Sequence, residues 1–260
     1  MSKITLGKYY PINSIIHTLD PRSKLIGAFY FTALVIIADD FRTFGFLTLY
    51  VIVLMFLSKI PIQILLKSTR PLLRIIIFTT LIQMLTSGGG QIYFSFSFLT
   101  ISELGIVRSL SVLIRFLLSI FIMSITSLTT KPLELATGLG KLFAPLKIFK
   151  VDVDEIVLMI TIALRFIPTL QEEFERIVKA QASRGMDFVG QTVFEKIKKV
   201  TPIFLPIFIR SLYRSKEIAN ALDARNYCTT VRRTSFRSMK WEINDTLFLV
   251  GLIILTALVI

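Results

Sequence analysis

The sequence predicts an all-α integral membrane protein with about five transmembrane helices and further long helices that stay at the membrane's inner face. Three observations predict it. Of 260 residues, 53% are hydrophobic and only 18% charged, against about 25% charged in soluble domains, and the mean hydropathy is +0.71. The apolar residues gather into five runs. The formal charge of +13 suits a chain whose cations collect on one side of a bilayer.

The first run is 25–38 (LIGAFYFTALVIIA), shorter than the ~20 residues a span needs, so its helix is expected to include its flanks. Asp20 and Pro21 suit the N-cap and first-turn positions, and Arg22 and Lys24 can reach the headgroups. The link DDFR leads to a second run, 43–57. The third, 72–86, starts behind Pro71; the fourth covers 104–128, and the fifth covers 247–260. The first 24 residues hold no continuous apolar segment, so no cleavable signal peptide is expected.

The loops set the orientation. Lys3, Lys8, Arg22 and Lys24 precede the first run, and Lys59, Lys67, Arg70 and Arg74 lie in the 58–74 loop; SGGGQIYFSFSFLTISE, between the third and fourth runs, has neither Lys nor Arg. Positive-inside logic places the N-terminus and the 58–74 loop in the cytoplasm and the GGG loop outside. Residues 131–240 hold 19 of the 30 Lys+Arg and 11 of the 17 Asp+Glu, a local net of +8. The chain therefore divides into membrane helices one to four (1–128), a cytoplasmic segment (129–241) and a last membrane helix (242–260).

That cytoplasmic segment contains two apolar stretches, 155–170 and 200–213. Only nine uncharged residues separate Glu155 from Arg165, and ten separate Lys199 from Arg210. Such lengths give roughly 15 Å of helix against a ~30 Å hydrocarbon core. Pro168, Pro202 and Pro206 are expected to break or kink them. They read as helices lying on the bilayer's inner face or on another membrane protein, with polar extensions such as 171–183. A seven-span topology is the alternative.

Little in the chain suits catalysis. Cys228 and His17 are the only residues of their kinds, so no disulfide, cysteine-based zinc cluster, His-dependent triad, metal or cofactor is expected. GLGK at 138–141 lacks the Gly at 135 and the Ser or Thr at 142 that a phosphate loop requires. Asp39 and Asp40 read as a solvated turn, and Asp152, Asp154 and Glu155 as charges favourable to a helix N-terminus. Arg108 and Arg115 share one face of the fourth run; such charges pair or line a path, and no partner is evident. Nucleic acid is not an expected partner, because the apolar runs have no role in binding it.

Two helix ends resemble each other. ERIVKAQASRGMDF (175–188) and KEIANALDARNYC (216–228) place Ile177 and Ile218 seven residues before Arg184 and Arg225, with Ala180 and Ala221 four before. Gly185 and Asn226 follow, the two types best suited to a left-handed C-cap. Each helix should end in an exposed Arg among small residues, where a partner backbone can approach closely. The plainer reading is that cations favour helix C-termini.

These residues together resemble the T component of energy-coupling factor (ECF) transporters, EcfT. IIHTLDPRSKL (15–25) resembles its H-x-L-D-P-R-x-K-L opening, and 129–185 resembles its central cytoplasmic region. A-S-R-G and D-A-R-N-Y resemble its paired Ala-Arg-Gly signatures, with Asn226 where Gly is usual. The resemblance implies an importer of vitamins or other micronutrients in the cell membrane, built from this scaffold, two ABC-type ATP-binding subunits and a substrate-binding membrane S component. It carries ATPase contact over to Arg184 and Arg225, with Ala182, Ser183, Gly185, Ala224 and Asn226 around them. The long cytoplasmic helices become coupling helices, and ATP hydrolysis falls to the partners. The apolar stretches, with Phe166, Phe204 and Phe208, become a platform for the S component or for lipid. A self-sufficient permease or channel is the alternative; it would need polar residues at mid-bilayer in several spans, which only the fourth run offers. A membrane-bound enzyme is the third reading.

Overall fold

The computed structural model describes residues 9–89, 91–96, 99–149, 152–186, 193–228 and 239–259. Lys3 and Lys8, and positions 187–192 and 229–238 of the basic segment, lie outside them. The chain forms two compact units, Met1–Pro145 with Met239–Ile260, and Leu146–Ser238.

The first unit is a helical membrane bundle. A short α1 (Ile15–Thr18) precedes α2 (Pro21–Ile37), α3 (Phe41–Ser58) and α4 (Ile62–Thr86). A small hairpin of β1 (Ile92–Phe96) and β2 (Leu99–Ser102) leads into α5 (Glu103–Thr129), then α6 (Pro132–Leu142), and α9 (Ile243–Val259) closes the unit. Five of these helices coincide with the five apolar runs. Among the described residues, Phe41–Ser58 and Glu103–Thr129 are long and apolar enough to cross a membrane, and Ile243–Leu258 is a shorter apolar helix.

The local reasons are legible. The Asp20 side chain accepts from the Arg22 N–H at 2.8 Å and Pro21 occupies the first turn, so α2 begins where the sequence places its cap. Ser102 caps α5 by accepting from the Gly105 N–H at 3.1 Å, while its hydroxyl donates to the Ser87 carbonyl at 2.7 Å. α5 packs on α2, α3 and α4, and the core gathers Phe31, Leu47, Leu118, Ile122, Leu128 and Leu252. Hydrocarbon gives apolar surfaces no drive to meet, so close backbone approach must supply the packing. Gly27 provides it between α2 and α9: a Cβ there would meet the Phe248 ring and lie 3.1 Å from Leu252 Cδ1.

One expectation needs correction, and two further features add to the reading. Pro71 does not start the third helix but lies inside α4, so most of the expected 58–74 loop is helical. A helix passes through proline when the freed carbonyl faces accommodating surroundings. The GGG connection carries a hairpin, with Ile92 opposite Ser102 and Phe96 opposite Leu99. Residues 129–145 belong to the first unit, because α6 lies against α2 and Lys24 holds the end of α5.

The second unit is built on α7 (Val153–Ser183) and α8 (Val193–Ala224). The expected apolar stretches are internal segments of these amphipathic helices. Pro168, Pro202 and Pro206 lie inside them without ending them. Pro206 has no N–H for the Pro202 carbonyl, and the Gln181 amide of α7 approaches that carbonyl at 3.5 Å. Further along, Arg214 of α8 pairs with Glu173 of α7 at 3.5 Å. Position 181 meets 202 while 173 meets 214, so the two helices run antiparallel.

Replacing Gly27 by Val should push α9 from α2 and destabilise the bundle by about 1–3 kcal/mol, read as a lower unfolding temperature in detergent. Adding Phe248→Ala should restore most of it. An unchanged midpoint for Gly27→Val would mean that α2 and α9 do not rely on this approach.

Candidate functional site

One site-like feature of the first unit is a polar clasp around LDPRSK. Asp245 of α9 is almost fully buried. Its Oδ1 accepts from the Asp20 N–H at 2.7 Å and the Ser23 hydroxyl at 2.6 Å, and its Oδ2 accepts from the Glu242 N–H at 2.9 Å. A single carboxylate thus serves the N-termini of α2 and α9, where unpaired N–H groups and the helix dipole both favour an anion. Lys24, also buried, donates to the Thr129 carbonyl at 3.2 Å, the Thr130 hydroxyl at 3.3 Å and the His17 carbonyl at 3.3 Å, placing a cation at the C-terminus of α5. Arg22 pairs with Asp20 at 3.1 Å and lies 5.9 Å over the Trp241 ring.

His17 completes the surroundings. Its Nε2 is 3.0 Å from the Tyr10 carbonyl, which fixes the proton there, and its Nδ1 accepts from the Ser14 hydroxyl at 2.7 Å. Burial lowers the ring's pKa below the ordinary histidine value; the Tyr10 bond opposes this and the Lys24 charge reinforces it. Arg115, without a partner in the sequence reading, has one: Asp39 at 2.7 Å, with the Ala38 carbonyl at 2.6 Å. The Asp39–Asp40 turn is exposed, as expected of a solvated turn, and its Asp39 carboxylate also makes a surface ion pair with α5.

In the second unit the two helix ends are built alike. At the end of α7 the Gly185 N–H bonds the Ala182 carbonyl at 3.0 Å and the Met186 N–H bonds the Gln181 carbonyl at 3.1 Å; at the end of α8 the Asn226 N–H bonds Asp223 and the Tyr227 N–H bonds Leu222, both at 2.9 Å. Both are Schellman motifs, with Arg184 and Arg225 at the same C-cap position. The backbone is left-handed at Gly185 (φ 81°) and Asn226 (φ 54°), as those residue types predict. Ala182, Ser183, Arg184 and Gly185 are exposed, as are Ala224, Arg225 and Asn226, and a Cβ on Gly185 would meet open space.

The antiparallel pairing puts the two ends far apart. Pro202 stands level with Gln181, near Arg184, and Arg225 lies 23 residues further along α8, roughly 35 Å at 1.5 Å per residue. The structure thus brings each arginine together with its own small neighbours but not with the other arginine. Phe204 and Phe208 stack at 5.8 Å on α8 and are exposed. Phe166 is not part of that pair: it is half-buried, 5.1 Å beneath the Arg214 guanidinium.

The clasp holds the residue that sequence reasoning missed. Asp245 sits three positions after Glu242, in the place from which an acid reaches back to a cap N–H, and that was its only signal. Its replacement by Ala strands the Asp20 and Glu242 N–H groups, while the Ser23 hydroxyl keeps the Asp20 carbonyl at 2.8 Å, and should cost about 1.5–3 kcal/mol, measured by thermal unfolding of the purified chain. An Asp245→Ala protein as stable as the parent would show that water replaces the carboxylate.

A family profile described as CbiQ, cobalt transport protein, matches residues 12–236. The chain is also 39% identical over 258 residues to the energy-coupling factor transporter transmembrane protein EcfT of Bacillus subtilis, covering 99% of this chain and 97% of that one. It is 41% identical over 260 residues to the EcfT protein of Lactococcus lactis, covering 100% and 98%, and 38% identical to EcfT 1 of Listeria monocytogenes, covering 99% and 97%. With likeness running the full length of both chains, and with the LDPRSK clasp and the paired arginine caps in place, the chain belongs to the CbiQ family as a transmembrane T subunit of an ECF transporter.

Proposed function

We propose that the chain is the scaffold and coupling subunit of a vitamin or micronutrient importer, transmitting the ATP-driven motion of two ABC-type ATPases to a substrate-binding S component. The observation that carries this reading is the pair of matched arginine caps at opposite ends of an antiparallel helix pair. Two equivalent contacts set far apart suit two copies of a similar partner better than one. A guanidinium projecting from a rigid helix end can make a forked, charge-assisted contact with a carboxylate, and the small neighbours let a partner surface close around it.

The chain would itself neither hydrolyse ATP nor hold the substrate. The exposed Phe204–Phe208 stack supports a platform for the S component on α8; Phe166, engaged by Arg214, is a weaker candidate. The pairing of Arg115 with Asp39 gives a structural role to one of the two fourth-run cations that favour a self-sufficient permease; Arg108 is the other. In this reading the protein sits in the cell membrane with its N-terminus and residues 129–241 in the cytoplasm, supported by the distribution of Lys and Arg.

Arg184→Ala and Arg225→Ala should each weaken capture of the ATPases by about 30-fold or more, since truncating one side of a buried charge pair costs ~2–5 kcal/mol. The double variant should lose both ATPases and uptake. Arg→Lys should rescue poorly, and Arg176→Ala should change little. Retention of both ATPases and full uptake by the double alanine variant would leave the arginines as helix-end charges only. Orientation has its own test. In intact cells an impermeant maleimide should label Gln91→Cys in a Cys228→Ser background, and native Cys228, which is exposed, only after permeabilisation. Labelling of Cys228 from outside would reverse the map.

A further inference from the structure

α2 and α9 start together at the clasp and run parallel from it, since Asp20 meets Asp245 at one end and Tyr30 meets Thr256 further along. On one flank of this pair lies a furrow of about 380 Å³ lined by Ile26, Tyr30, Leu249, Leu252 and Ile253. Leu252 is its buried floor, and Ile26, Tyr30 and Ile253 stand exposed as walls. At the far end, about 15 Å of helix from Asp20, the Thr256 hydroxyl donates to the Leu252 carbonyl at 2.8 Å and accepts from Tyr30 at 3.0 Å. Both hydroxyls are thereby spent, and the furrow offers an occupant only apolar surface.

The clasp end of the furrow is polar. Arg22, Ile26 and Tyr30 are spaced four apart and share one face of α2. The Arg22 guanidinium donates through Nε and Nη2 to Asp20, at 3.1 Å each, and its Nη1 makes no hydrogen bond among the described residues. It lies 5.9 Å over the ring of Trp241, whose indole N–H donates to the Thr246 hydroxyl at 3.0 Å. Thr246 stands three positions before Leu249 on α9, on the flank of the furrow. A cation and an indole at the mouth, with branched apolar walls beneath, repeat along the helix axis the order of headgroup and acyl chain in one leaflet.

A transmembrane helix fits this furrow poorly. Helices seat against each other where small residues admit the backbone, and none of the lining residues is small. Gly251, two positions from both Leu249 and Ile253, stands on the opposite side of α9, where a Cβ would meet nothing within 4 Å. A flexible chain needs no such opening and can follow a furrow between bulky walls. We propose that this furrow holds one acyl chain of a glycerophospholipid from the leaflet at the clasp end, with the lipid phosphate accepting from Arg22 beside Trp241.

The test is native mass spectrometry of the purified full-length chain titrated with dioleoyl phosphatidylglycerol. The parent should keep one tightly held lipid. Ile26→Trp or Ile253→Trp, which fills the furrow from either wall, should lower retention by about tenfold or more, the equivalent of about two buried methylenes. Leu247→Trp, the same kind of change at an exposed position on another face of α9, should leave retention unchanged and so separates a site from ordinary lipid contact. The parent should also hold phosphatidylglycerol about fivefold over dioleoylglycerol, which lacks the phosphate, and Arg22→Gln should remove that preference. Being a ratio within one protein, it does not depend on how much of the variant folds. Retention in Ile253→Trp equal to the parent, an equal loss in Leu247→Trp, or an unchanged preference in Arg22→Gln would each overturn the site. So would a photocrosslinker at Ile253 that captures a polypeptide in native membranes in place of lipid.

Discussion

Asp245 is one carboxylate facing three donors, and the first unit is organised around that imbalance. A helix that begins inside protein or lipid must find acceptors for its first N–H groups, and α2 and α9 both begin at this buried point. Sharing one carboxylate solves two termini at once and fixes the start of α9 against the start of α2 although 225 positions separate Asp20 from Asp245. Lys24 does the complementary work at the end of α5, so one N-terminal turn holds an anion and a cation, each against the helix pole it suits. α3 and α4 then pack on a frame whose end is already set. Gly27, one turn above Lys24, lets α9 stay close beyond the clasp.

The second unit follows a different logic. Its two helices keep long apolar faces exposed, Phe204 and Phe208 among them, and hold to each other through a modest set of contacts such as Arg214 with Glu173 and Phe166. An amphipathic pair that leaves so much apolar surface uncovered is shaped for a neighbour rather than for solvent. Its best-defined parts are its ends, where the Schellman geometry is repeated bond for bond.

Much of this was legible in the sequence because it is local. Asp20 before Pro21, Gly185 after Arg184 and Asn226 after Arg225 state their backbone roles by residue type alone, and the five apolar runs state the bundle. What was not legible depends on remote pairing or on solvent. Asp245 is one acid in an ordinary helix start until LDPRSK is folded beside it. Arg115 had no evident partner because Asp39 lies 76 positions away. Pro71 reads as a helix start and Pro168, Pro202 and Pro206 as breaks or kinks, and each lies inside a continuous helix. The hairpin after the triple glycine is written in the alternation of IYFSF, a signal that the loop's lack of Lys and Arg does not carry. Phe166 is alike in type to Phe204 and Phe208, but it lies under the Arg214 guanidinium while they stack on each other.

The prolines within α7 and α8 also set how the pair deforms. Each removes a backbone hydrogen bond, so bending stiffness is lowest there and highest in the uninterrupted segments that lead to Arg184 and Arg225. Pro168 stands at the midpoint of Val153–Ser183, and Pro202 and Pro206 stand in the first half of Val193–Ala224. A load applied at either tip is therefore carried by a stiff rod to a compliant joint, and flexure concentrates near the middle while the tip geometry survives. Because the pair is antiparallel, its two stiff tips point in opposite directions, and each can swing about its own joint while the cap it carries keeps its shape.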